Sequence, residues 1–294
     1  MLKKLLLISI FLCLSSVGYA ADIRIWEGQE TSDKKTPYIV IEGEIVAGDY
    51  DRFIKIVREL GGSAQTVLLR TPGGDFLEAM KIGRAMRALK LGSSVPSILL
   101  ENGSPSCSDK NEEFRGYGEH LNNTNNCTCL SSCFFIHIGA IARYGNYIGV
   151  HRPIFEKEKF AGLSEKEAAD KYTKLQIETR VYMQEMGVPE DIQATLMDTP
   201  SGAIYMLPLE KILKHFSGYL PAHHEWLGAK CGDELTEEEM TKMFSFEEQV
   251  KNKTIDRKNM DEYKLIIVRA TNMTSCKFKA EKEMREKSFS EFFG

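Results

Sequence analysis

The feature that most limits what this chain can fold into is an alternation of strand-like and helix-like apolar patterns over residues 38–100. Residues 38–46 read as a strand, and Asp49 then caps a helix that places Phe53, Ile56, Val57 and Leu60 on one face. Gly61-Gly62 ends that helix. A second strand, Thr66-Val-Leu-Leu-Arg70, runs through Thr71-Pro72-Gly73-Gly74 into a helix over about 76–89, with Leu77, Met80, Ile82 and Met86 directed inward. A third apolar run at 97–100 completes a β-α-β-α-β rhythm. Strands separated by helices pair in parallel through right-handed crossovers, which predicts an α/β fold with a mostly parallel sheet.

Residues 101–126 break the rhythm. They are rich in Asn, Ser, Gly and charge, and read as a long surface insertion at 101–128. After it, 131–142 is almost wholly apolar, as suits a helix buried on all sides, and 147–150 reads as a short strand. A polar helix over 164–186 stops at Gly187-Val188-Pro189; a short helix follows to 197, and another turn or two occupies 208–216. Beyond about 221 the character changes to charged helical stretches, 236–251 and 277–293, around an apolar run at 265–268. The expected organisation is a main α/β domain over 21–220 and a small helical C-terminal appendix over 221–294.

The first twenty residues are set apart. Lys3 and Lys4 precede an apolar stretch from Leu5 to Leu14, then small residues ending Gly18-Tyr19-Ala20, the order of a cleavable secretory signal peptide over 1–20. That stretch is short of the roughly 20 apolar residues a spanning helix needs, so no stable membrane anchor is expected. A lipid anchor at Cys13 is disfavoured by Leu12 before it. Loss of the leader removes two lysines and no acids, taking the formal charge from −4 to −6, with no strongly basic segment. Nucleic acid is therefore a poor partner. The mature chain keeps Cys107, Cys127, Cys129, Cys133, Cys231 and Cys276, an even set that export turns toward disulfides. A Cys231 to Cys276 bond would close a loop of about 45 residues, worth roughly 3 to 4 kcal/mol in the chain-entropy description.

Three features fall at strand ends or helix starts, where open α/β sheets place their sites. The Gly73-Gly74 turn leaves a backbone N–H unshielded by any Cβ. Ser131 opens the buried helix, where unpaired N–H groups favour negative charge. His151 closes the next short strand. Together they offer a nucleophile, a base and an oxyanion hole built from the N–H groups of Gly74 and Ser132. Each residue also has a plainer use: Ser131 as a helix cap, His151 as a structural histidine, Asp198 as the cap of a turn, and the diglycine as a turn alone. Cys127, Cys129, Cys133 and His137 have the spacing C-x-C-x3-C-x3-H, which offers zinc ligands in principle; export argues for disulfides instead, and no metal or organic cofactor is expected.

The run Thr71-Pro-Gly-Gly74, then Cys129-Leu-Ser-Ser-Cys133 through Gly139, then Gly149-Val-His-Arg-Pro153, resembles the proteolytic subunit of the Clp protease and its exported relatives in the ClpP/crotonase superfamily. There an Asn-Ser-Pro-Gly-Gly segment supplies the oxyanion hole, Ala-Ser-Met-Gly the nucleophile and Ile-His-Gln-Pro the base. Ser131, His151 and Gly74, supported by Gly73, fall on those positions, and Asp198-Thr199-Pro200 is similar to the segment carrying the family's acid. The resemblance spans about 38–220. It implies a β-α-β spiral and an ATP-independent exported serine peptidase with a Ser131, His151, Asp198 triad acting on peptides or unfolded chains. It also implies a homo-oligomer, and export removes the need for an ATPase partner. The rival expectations are a non-catalytic exported binding protein that keeps the scaffold, and a crotonase-type acyl-CoA enzyme. Export disfavours the latter, because coenzyme A is cytoplasmic.

Overall fold

A computed structural model describes residues 20–27, 37–98, 105–106, 127–154 and 160–294. The expected leader, 1–20, and insertion, 101–128, lie almost wholly outside the described residues. In chain order, β1 (Asp22–Glu27) and β2 (Pro37–Glu42) are followed by α1 (Asp49–Leu60), β3 (Thr66–Arg70), α2 (Phe76–Ala88) and β4 (Gly92–Ser94). Two short strands, β5 (Ser97–Ile98) and β6 (Pro105–Ser106), pair antiparallel with each other outside the main sheet. Next come α3 (Cys133–Gly139), β7 (Ala142–Tyr144), β8 (Gly149–Val150), α4 (Glu165–Glu185), α5 (Glu190–Asp198), β9 (Tyr205–Met206) and α6 (Leu209–His215). β10 (Gly218–Tyr219), α7 (Pro221–Cys231), α8 (Glu237–Lys251) and α9 (Arg257–Phe293) complete the chain.

The main sheet has six strands in the order β1-β2-β3-β4-β7-β10. Its four inner strands run parallel, and the two edges are antiparallel. Val67, Leu68 and Leu69 of β3 are all buried, as befits a strand covered on both faces. Asp75 caps α2 by accepting from the N–H groups of Leu77 and Glu78, and the helix buries Phe76, Ala79, Met80, Ile82 and Met86 against the sheet. Leu77, expected inward, is only partly buried at the rim of this core.

Beside the main sheet a second set of single-residue bridges links the strand ends. Ile45 bridges Gly74, Thr71 bridges Cys129, and Leu130 bridges Gly149, all in parallel, while Gly149 also pairs with Met206 across the β8 and β9 ladder. These bridges draw the segments after β2, β3 and the insertion together at one end of the sheet. Every residue of α3 is buried, so its polar ends must be satisfied locally. At its C-terminal end Arg87 donates to the carbonyls of Gly139 and Ile138, and Arg143 to those of Ile138, Ala140 and His215.

The structure corrects four local expectations. The third strand of the parallel sheet is Gly92–Ser94, not the apolar run at 97–100; the pattern missed it because three small residues carry no periodicity. The buried helix is shorter than 131–142, because Ala142 turns into β7. Asp49 does not cap α1; the cap position is Gly48, and the buried Asp49 carboxylate instead accepts from the Val46 N–H and pairs with Arg52. The run at 265–268 lies inside one continuous helix of 37 residues, α9, whose Phe289, Phe292 and Phe293 pack against the main core. A disulfide between Cys231 and Cys276 ties α7 to α9. Among the described residues no helix is long and apolar enough to cross a membrane.

Candidate active site

Ser131 sits in strained backbone. Its φ is 55°, a left-handed conformation that costs a non-glycine residue about 1 kcal/mol or more and persists only where surrounding contacts impose it. Those contacts are backbone bonds on both sides. The Leu130 N–H donates to Thr71 O, the Ser131 N–H to Gly149 O, and the Gly149 N–H to Cys129 O. Beneath the turn, Cys129 and Cys133 are joined by a disulfide, closing the loop that contains the serine. Both are fully buried. With this pairing Cys129 and Cys133 hold no free thiolate for a metal; Cys127 is also disulfide-bonded.

Facing the serine is the diglycine turn. Gly73 and Gly74 have φ of 115° and 128°, and a Cβ on Gly73 would come within 2.6 Å of the Ser131 Cβ. On Gly74 it would lie 2.1 Å from the Ile45 carbonyl oxygen. Only glycine fits at either place. The Thr71 hydroxyl accepts from the Gly73 N–H at 3.0 Å, and Gly73 O accepts from Ile45 N–H, which holds the turn in register with β3. With Gly73 so engaged, the N–H groups of Gly74 and Ser132 donate to no acceptor among the described residues. Gly74 lines the cleft, whereas Ser132 is fully buried beside Ser131.

His151 and Ser131 line the same cavity, of about 330 Å³, together with Gly74, Glu44, Asp75 and Ser201. Ile45, Val46, Phe76 and Ile154 give it an apolar wall. The imidazole Nδ1 lies 2.8 Å from the Arg152 carbonyl oxygen. Because a carbonyl only accepts, Nδ1 carries the proton, and in the neutral imidazole the lone pair is then on Nε2, the tautomer a general base needs.

Among the described residues no hydrogen bond or ion pair joins Asp198 to His151. The Arg152 N–H donates to Thr199 O, which docks the end of α5 alongside the histidine strand, but the Asp198 side chain is exposed at the last position of that helix. Among the described residues the orienting acceptor is the Arg152 carbonyl. No side-chain pattern signals a carbonyl in that role. Glu44, Ser201 and Ile154 were equally illegible as cleft residues, since they come from three distant segments; Asp75 was readable only as a helix cap. His137 faces away from this site. It is fully buried in α3, its Nδ1 is 2.8 Å from the Ser93 hydroxyl, and burial together with the charge of Arg143 lowers its pKa to about 3.

No protein-family model matches the chain, and no curated protein matches it. Among solved structures it is similar to a serine-to-alanine mutant of the 1510-N membrane-bound stomatin-specific protease, with 16% identity and a TM-score of 0.35 over 66% of this chain and 83% of the other.

Proposed function

We propose that this chain is an exported serine peptidase that works without ATP on peptides and unfolded segments. The observation that carries the reading is Ser131 held at positive φ opposite Gly73-Gly74, in one cleft with His151 and with the N–H groups of Gly74 and Ser132 unengaged. In this scheme the Ser131 Oγ attacks the peptide carbonyl carbon and its proton passes to His151 Nε2. The carbonyl oxygen takes the charge and is held by Gly74 and Ser132. His151 returns the proton to the departing amine, and water then cleaves the ester by the same steps. The Arg152 carbonyl keeps Nδ1–H in place throughout; Asp198 assists only if it reorients. The bridges of the second ladder, set beside the parallel sheet, support the ClpP/crotonase-like spiral, and a homo-oligomer goes with that spiral.

One observation favours the rival reading, a non-catalytic binding protein: the Ser131 hydroxyl makes no hydrogen bond among the described residues. A fluorophosphonate probe separates the two. The purified protein is expected to label at neutral pH and the Ser131→Ala variant is not. Equal labelling of both, or of neither, overturns the peptidase reading.

A further inference from the structure

A larger cavity, about 600 Å³, opens at the opposite end of the sheet from Ser131. It lies where the turn from α2 to β4 meets the start of β7, α7 and α9. Its volume is within the roughly 300 to 1,000 Å³ range of small-molecule sites. Ile141 and Ala280 form a buried floor, and Leu220, Ala222, Trp226 and Met284 supply apolar walls. The remaining lining is lopsided in charge. Arg87, Lys90, Lys230 and Lys287 face only one carboxylate, Glu283, on a chain whose formal charge is −4.

Arg87 is committed to the carbonyls of Ile138 and Gly139, so the charge open to a ligand is that of the three lysines. Lys230 lies 3.4 Å from Glu283 and 5.3 Å from the centre of the Trp226 ring, and Lys287 pairs at 3.7 Å with Glu291 on the helix surface. Exposed pairs of this kind contribute about 0 to 1 kcal/mol and yield to a better partner. The Trp226 ring is propped by His223, stacked at 5.5 Å, whose Nε2 is held 3.3 Å from Glu281. The indole is thus fixed at the cavity wall with its surface partly exposed.

We infer that this cavity binds an anionic amphiphile: a single alkyl or aryl chain laid on Ile141, Leu220, Trp226 and Met284, with a terminal carboxylate among Lys90, Lys230 and Lys287. Apolar floor and cationic rim together select that class, since a neutral chain leaves the lysines unused and a cation meets repulsion. The inference stands apart from the proposed peptidase reaction, because none of these residues lines the Ser131 cleft.

The chain has two tryptophans, Trp26 and Trp226, so a Trp26→Phe variant makes Trp226 the sole reporter. Decanoate, added to this full-length variant below its micelle concentration, is expected to change Trp226 emission saturably. Lys90→Glu with Lys230→Glu should weaken that binding about tenfold or more, and Ala222→Phe, which fills the cavity without altering charge, should block it. Decyltrimethylammonium should give no saturable change. Absence of saturation with decanoate, equal binding of the cationic analogue, or indifference to both sets of substitutions in variants with unchanged melting temperature overturns the inference.

Discussion

The two ends of α3 treat the same problem in opposite ways. At its C-terminal end, buried carbonyls are saturated by Arg87 and Arg143, two cations whose burial lowers their pKa, that of Arg143 to about 9. At its N-terminal end the N–H groups of Ser132 and of nearby Gly74 meet no acceptor among the described residues, and Ser131 sits in strained backbone. A chain that devotes two buried arginines to one end of a seven-residue helix is not loosely packed at the other. The difference shows one place where this fold accepts a cost: among the described residues, two unengaged N–H groups and a serine at positive φ meet at the cleft, where backbone bridges and the Cys129–Cys133 disulfide hold the turn.

That contrast can be broken in steps of decreasing size. If the open end is the catalytic one, His151→Ala should slow fluorophosphonate labelling of Ser131 by about 10² to 10⁴, or roughly 3 to 5 kcal/mol. An unchanged rate would remove the base from the scheme. The closed end should instead report itself in stability. Native His137 has its pKa lowered to about 3 from 6.5, so above pH 6.5 it is neutral whether folded or unfolded. Below that, only the unfolded chain binds the proton, and stability falls by up to about 1.4 kcal/mol per pH unit down to the native value. Between pH 6.5 and 4.5 the protein should thus lose about 2 to 3 kcal/mol more than His137→Asn does, measured by urea unfolding; parallel pH profiles would show the imidazole is not held neutral.

Opening the short disulfide tests what keeps the serine turn rigid. Replacing Cys129 and Cys133 together by Ala should lower stability by about 2 kcal/mol for so small a loop and slow Ser131 labelling as the turn loosens. Loss of stability with no change in labelling would assign the bond to the core alone. The smallest effect is expected for Asp198→Asn, a change of no more than about 0.5 kcal/mol in labelling rate, as for an exposed surface substitution. A loss as large as that of His151→Ala would mean that Asp198 swings onto Nδ1 in the working state and displaces the Arg152 carbonyl.

Much of the fold was legible because local signals agreed. The sequence Thr66-Val-Leu-Leu-Arg70, the diglycine, the Asp75 cap and the apolar spacing of the following helix all point to strand, turn and helix, and the structure has them at Thr66–Arg70 and Phe76–Ala88. The strand Gly92–Ser94 was not legible, since its place in the sheet is dictated by neighbours on either side rather than by its own three small residues. β1 carries Ile and Trp but lies in a polar lead-in, and it is held by antiparallel pairing to β2, which no local pattern announces. In the cleft, the order of the Gly73-Gly74, Ser131 and His151 motifs was readable along the chain, whereas the partner of His151 was not.

By itself the sequence determined the periodic elements, the glycines that only a tight turn requires, and the polar residues available for chemistry, all set by interactions among near neighbours. The tertiary structure alone decided that Cys129 bonds Cys133, that Ser131 sits at positive φ, that Nδ1 of His151 donates to a carbonyl rather than to Asp198, and that the N–H groups of Gly74 and Ser132 meet no acceptor among the described residues. Those outcomes depend on which distant segments arrive at the same place and at what angle. Hydrogen bonding and disulfide geometry are sensitive to a few tenths of an ångström, and that precision comes from packing, not from pattern.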